Sequence, residues 1–183
     1  MASIKWDVKS SDCSKPVVVF FEDEGRFGRI SREMRCWVKK DMVPSVPRQM
    51  VREYIYAYSA LSAQTGDCFS MISPYCNTDC MNTFLYQLAN HYKNYRIVLL
   101  LDKAGWHTSK TIELPQNLQL MHLPPYSPES NPVELLWREI RKDEFHNEIF
   151  NSLDDVENTL AKALAQYHKN HSAIRHLAKG YTF

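Results

Sequence analysis

Residues 123 to 137 read Leu123-Pro-Pro-Tyr-Ser-Pro-Glu-Ser-Asn131-Pro132-Val-Glu134-Leu-Leu-Trp137, a proline-stiffened loop running into the start of a helix. Asn131 suits the N-cap, because its side-chain oxygen can accept from a backbone N–H of the first turn. Pro132 suits the first helical position, where its missing N–H costs nothing. Glu134 then stands on the first turn, its carboxylate near the mouth of whatever the loop delivers it to. Two upstream runs, Val17-Val-Val-Phe-Phe-Glu-Asp23 and Ile97-Val-Leu-Leu-Leu-Asp102, are apolar and each ends in an acid. Short β-branched runs of this kind predict buried strands. Three carboxylates on two buried strands and one helix start can hold two divalent cations for phosphodiester chemistry.

The rest of the chain supplies the frame for them. A strand over Val17–Glu22 ends at Asp23, and Arg35–Lys39 reads as another. In Tyr54–Ala63 the tyrosines at 54, 56 and 58 alternate with Ile55, Ala57 and Ser59, as in a strand with two different faces. Thr65-Gly66-Asp67 is a hairpin turn into Cys68–Ile72. From Asp79 to Tyr92, apolar residues at Met81, Phe84, Leu85, Leu88 and Ala89 make a helical stripe. A short helical link joins the strand Ile97–Leu101 to a further strand, Leu118–Leu123. Helices are expected over Asn131–Phe145 and Leu153–His168. This order predicts an α/β layout with a mixed sheet, an antiparallel meander joined to parallel strands through crossovers.

Composition bounds the partners. At 183 residues the chain reads as one domain, residues 17–183, behind a loose lead-in at 1–16. It is long enough to bury about 70% of the surface that its unfolded form exposes. No apolar run reaches the ~20 residues that cross a bilayer. The first ten residues hold no apolar signal core, and five scattered cysteines fit reduced thiols, so a cytoplasmic location is expected. Net charge is only +1, but eight basic residues against two acidic ones lie between Arg26 and Arg52. Arg26, Arg29, Arg32, Arg35, Lys39 and Lys40 are the candidate phosphate contacts in that strip. The alternative is an ordinary solvated hairpin with its charges on the outer face.

Phe20-Phe-Glu-Asp-Glu24, Leu101-Asp-Lys-Ala-Gly-Trp-His107 and the block from Leu123 to Trp137 resemble, in order, the three catalytic blocks of DDE transposases. The match is to the mariner-like superfamily, in particular its bacterial insertion-sequence branch. The resemblance implies an RNase H-like fold with a mixed five-stranded sheet flanked by helices, in which Asp23 and Asp102 sit on neighbouring strands. It further implies metal-dependent DNA cleavage and strand transfer by Asp23, Asp102 and Glu134, with Asp23 bridging two Mg²⁺ ions, Asp102 binding one and Glu134 the other. Oxygen-only ligands select hard cations, with Mn²⁺ as the substitute. The partners implied are DNA, as transposon ends and target, and a second copy of the chain. The helix-turn-helix modules that usually precede this domain are absent from the sequence; they belong to another chain or to a longer protein. Lys103 stands where family members commonly have Asn, which bears on a metal-shell or substrate contact.

Each assignment has a plainer alternative. Asp23 beside Gly25 fits a strand-end turn, and Asp102 fits an Asx turn after a strand. Glu134 occupies the position from which a Glu can bond back to the cap's backbone N–H. His107 and Glu24 are secondary candidates, His107 equally suited to local hydrogen bonding and Glu24 pointed off the Asp23 face by strand alternation. Lys103 could pair with a carboxylate and compete with a cation, which keeps a non-catalytic DNA-binding or assembly remnant in play. Another RNase H-like nuclease is the remaining rival. His168, His171 and His176 read as solvated residues at a polar helix end.

Overall fold

The computed structural model describes residues 14–31, 33–35, 37–102, 111–123 and 131–181. Five strands, β1 (Val17–Ile30), β2 (Met50–Leu61), β3 (Cys68–Ser73), β4 (Arg96–Leu101) and β5 (Leu118–His122), form one sheet in the order β3-β2-β1-β4-β5. The β1–β2 and β2–β3 pairs are antiparallel, and β1–β4 and β4–β5 are parallel. The order of apolar runs predicts the mixed sheet, and the resemblance its five strands. Helix α1 (Thr78–His91) covers one face. The other carries α2 (Val133–Ile140), α3 (Leu153–Lys169) and α4 (His171–Leu177).

Alternation along β1 assigns the faces. Val19, Phe21 and Phe27 enter the core shared with α2 and α3, while Val18 and Phe20 enter the core shared with α1. On β4, Val98 and Leu100 share the first core, and Ile97, Leu99 and Leu101 the second. Strands covered on both faces have no polar side, which is why these two runs are continuously apolar. The stripe Met81, Phe84, Leu85, Leu88 and Ala89 is the buried side of α1, and the Asn77 side chain caps its first turn by accepting from Cys80 N at 2.9 Å. Helix α3 starts with a capping box between Ser152 and Asp155.

Three expectations change. β1 does not end at Asp23; its pairing with β2 continues through Glu24↔Tyr58 to Ile30↔Met50, so Asp23 lies within the strand. Arg35–Lys39 is not a strand. β1 and β2 pair directly, their connection is closed at its base by Ser31 N→Gln49 O at 3.0 Å, and the described residues of the loop have no neighbouring strand to bond. The helix expected from Asn131 to Phe145 is α2 followed by a single π-helical turn, Arg141–Phe145. The helical link between β4 and β5 falls largely on residues 103–110, outside the described residues.

The C-terminal histidines His168, His171 and His176 are exposed, as expected, and two of them also make contacts. His168 Nδ1 lies 2.7 Å from Cys68 O, and His171 Nδ1 lies 3.2 Å from Asp67 Oδ1. With Arg175 donating to Thr65 O at 2.9 Å, they fasten the α3–α4 corner to the β2–β3 hairpin. Gly66 makes the fit possible. Its φ is +79°, and the His171 carbonyl sits where a Cβ would project. We predict that Gly66→Ala lowers stability by more than about 1 kcal/mol, through left-handed strain and this clash together. Urea unfolding of the variant measures it, and an unchanged midpoint would refute the close docking.

Candidate active site

The parallel register of β1 and β4 aligns the first two acids. Val19 pairs with Val98 and Phe21 with Leu100. Two positions further on each strand come Asp23 and Asp102, level with one another and on the face that carries α2. Asp102 is exposed, one residue past the end of β4, and its carbonyl lies 3.1 Å from His122 Nδ1 at the end of β5.

Helix α2 brings the third. Asn131 is buried, and its side chain works in two directions. Its Oδ1 accepts from Val133 N at 3.1 Å, capping the helix, and its Nδ2 donates to the Glu22 carbonyl at 2.7 Å. The helix start is therefore tied to β1 one residue before Asp23. Two turns along the anchor, Trp137 Nε1 donates to Asp23 Oδ2 at 2.9 Å. Glu134 lies between these tethers, exposed on the first turn. Among the described residues it makes no hydrogen bond to the Asn131 backbone N–H, so the cap is supplied by Asn131 alone and the capping-box alternative is not formed.

Asp23 is pushed up to about 7 from the ordinary 3.8, first by burial, then by the negative charges of Glu134 and Glu24. Hydrogen bonds from the Trp137 indole and the Glu24 backbone act the other way and do not offset it. Glu22 and Glu24 occupy the opposite face of β1. Glu22 is 1% exposed and held well above the usual carboxylate range by burial, then by Glu24, Asp23 and Asp102.

The donor set is all carboxylate, which suits a hard divalent cation. Asp23 is close enough to Glu134 to feel its charge. Among the described residues, however, no three His, Cys, Asp or Glu side chains are grouped tightly enough to hold one ion as they stand. Lys103 and His107 lie outside the described residues, as does Arg32.

The basic strip divides. Arg26 is exposed, its guanidinium 4.7 Å above the Tyr54 ring. Arg29 is structural: it bonds Glu53 Oε2 at 2.7 Å and the Phe150 carbonyl at 2.9 Å, with its side chain only 16% exposed. Arg35, Lys39 and Lys40 stand exposed on the β1–β2 loop. What sequence reading missed is the Trp137–Asp23 bond, along with the reason for Gly25: a Cβ there would come within 2.9 Å of the Trp137 ring. The available signal was the spacing, since residues 134 and 137 are one turn apart on one helix.

Residues 18–157 match the family described as DDE superfamily endonuclease. An uncharacterized protein, y4pE/y4sA, of Sinorhizobium fredii (strain NBRC 101917 / NGR234) is 36% identical over 104 residues, 56% of this chain and 77% of that protein. The Mos1 mariner paired-end complex with Mn superposes with a TM-score of 0.63 at 14% identity, over 87% of this chain and 53% of that one. The Mos1 strand transfer complex gives 0.60 at 15% identity, over 86% and 52%. The chain thus spans about half the length of the Mos1 chains that it matches. Likeness at such identity speaks for the fold, which is RNase H-like.

The Asp23 shift has a direction that can be measured. Between pH ~4 and ~7 the folded chain keeps a proton on Asp23 that the unfolded chain has released. Its contribution to stability therefore falls as pH rises through that window. Thermal unfolding without divalent ions should show a drop between pH 5 and pH 8 that is shallower in Asp23→Asn, which cannot ionise. Equal slopes in the two proteins would remove the raised carboxylate from the account.

Proposed function

The chain belongs to the DDE superfamily endonuclease family, and on that premise we propose that it is the catalytic domain of a mariner-like transposase of the bacterial insertion-sequence branch. In this reading residues 17–183 form the domain, and it cleaves and joins DNA with divalent cations. The observation that carries the reading is Asp23, a carboxylate set within a central strand and facing the charge of Glu134, with its proton affinity raised accordingly.

Asp23, Asp102 and Glu134 would supply the oxygen ligands. Mg²⁺ is the expected ion and Mn²⁺ its substitute; structures of the Mos1 mariner paired-end complex have been solved with Mn and with Mg. Held by these oxygens, such ions would make an attacking water or hydroxyl more acidic and stabilise the leaving oxygen. The chain's own contribution is to hold the acids. β1 and β4 fix Asp23 and Asp102 at one level of the sheet, and the Asn131 and Trp137 tethers fix the helix that presents Glu134. DNA is the partner, as transposon ends and target, with Arg26, Arg35, Lys39 and Lys40 as phosphate contacts. A second copy of the chain and a DNA-recognition module complete the assembly, acting at the bacterial nucleoid.

A rival reading, a remnant that binds DNA without cutting it, draws on the absence of a tight three-ligand group among the described residues. Activity separates the two. Asp102→Asn and Glu134→Gln should each abolish Mn²⁺-dependent nicking of plasmid DNA, by orders of magnitude, with thermal midpoints unchanged. Because Asn131 caps α2 without it, Glu134→Ala should also be inactive yet nearly as stable as the parent. Nicking by Glu134→Gln at the parental rate would remove Glu134 from the triad.

DNA binding by these 183 residues should be weak, sequence-indifferent and salt-sensitive, because among the described residues no recognition helix accompanies the basic loop. Replacing Arg26, Arg35, Lys39 and Lys40 with Ala should flatten the dependence of affinity on salt in a fluorescence-anisotropy titration. Retention of the parental slope would place the phosphate contacts elsewhere.

A further inference from the structure

We propose that Trp137 is a positioning residue for the cation site, its indole N–H fixing the plane of the Asp23 carboxylate. This inference rests on the metal-site reading above and goes beyond it, because Trp137 offers no ligand atom. The donor–acceptor distance is 2.9 Å, from Nε1 to Oδ2, and the donor is buried, Trp137 being 1% exposed.

The ring cannot slide away from its partner. Phe27 packs edge-on against it, with centroids 5.7 Å apart at 72°, and Gly25 lies beneath it with no Cβ to push it off. Both residues follow Asp23 on the same face of β1, so the strand that carries the carboxylate also builds the seat for the ring. The other end of the helix start is held by Asn131 Nδ2 on the Glu22 carbonyl. One rigid helix therefore both carries Glu134 and orients Asp23, and the two acids cannot be displaced independently.

The chemistry of the donor matters as much as its place. A Lys or Arg in this position would neutralise Asp23 and compete with a cation. A neutral indole fixes the carboxylate without pairing it with an opposite charge. Partners of this kind, bonded to a ligand rather than to the ion, typically change metal affinity by about 10- to 100-fold when removed.

Trp137→Phe keeps an aromatic ring against Phe27 and deletes only the N–H. Mn²⁺ binding to the DNA-free chain, followed by electron paramagnetic resonance, should weaken at least tenfold while the metal-free thermal midpoint holds. In an Asp23→Asn background the same change should leave whatever Mn²⁺ binding persists unaltered, since its effect runs through that carboxylate. Equal Mn²⁺ affinity in parent and Trp137→Phe overturns the positioning role alone. Failure of the parent to bind Mn²⁺ overturns the metal-site reading and this inference with it. If Trp137→Phe does not fold, the indole N–H resonance of Trp137 in the parent decides. It should move during a Mg²⁺ titration with the midpoint of binding, and a stationary resonance overturns the proposal.

Discussion

A carboxylate placed halfway along a strand that is covered on both faces is the constraint around which this protein is arranged. Burial disfavours its charged form, and among the described residues no cationic side chain pairs with it. Instead Asp23 receives two neutral donors, the Trp137 indole and the Glu24 backbone, and faces a further negative charge from Glu134. That combination raises its proton affinity. It is a poor arrangement for stability and, in the function proposed, a suitable one for a site neutralised by bound cations.

The neighbouring features follow from that choice. Gly25 leaves room for the indole, and Phe27 sets its tilt. Asn131 ties the start of α2 to the strand at Glu22, so the helix is anchored on both sides of Glu134. Behind the sheet, Glu22 is buried in the company of Glu24, Asp23 and Asp102, and its proton is held well above the usual range. Three consecutive acids on one strand are tolerated because alternation sends the middle one to a different face.

The scaffold away from the site uses ordinary means. Asn117 Nδ2 ties together the carbonyls of Ala89, Tyr92 and Tyr95 at 3.1–3.3 Å, fixing the end of α1 to the segment that enters β5. The α3–α4 corner is fastened at the far hairpin by His168, His171 and Arg175. Among the described residues, no helix is long and apolar enough to cross a membrane.

Sequence alone settled the apolar strands, the stripe of α1 and the Asn131 cap, because each depends on neighbours within a few positions. Periodicity reports which residues are buried, and burial on both faces leaves an unmistakable run in β1 and β4. It also made Asp23, Asp102 and Glu134 stand out, since each follows or opens such an element. What it could not give was how far β1 extends. Gly25 and the charges after Asp23 look like a turn locally, and only pairing with β2 carries the strand on to Ile30. Arg35–Lys39 failed for the converse reason: a strand pattern is nothing without a neighbour to bond. The same limit hid the Trp137–Asp23 bond and the structural use of Arg29, which join residues more than 100 positions apart. Those contacts depend on where α2 and the segment after it come to rest against β1, and that is set by packing in three dimensions.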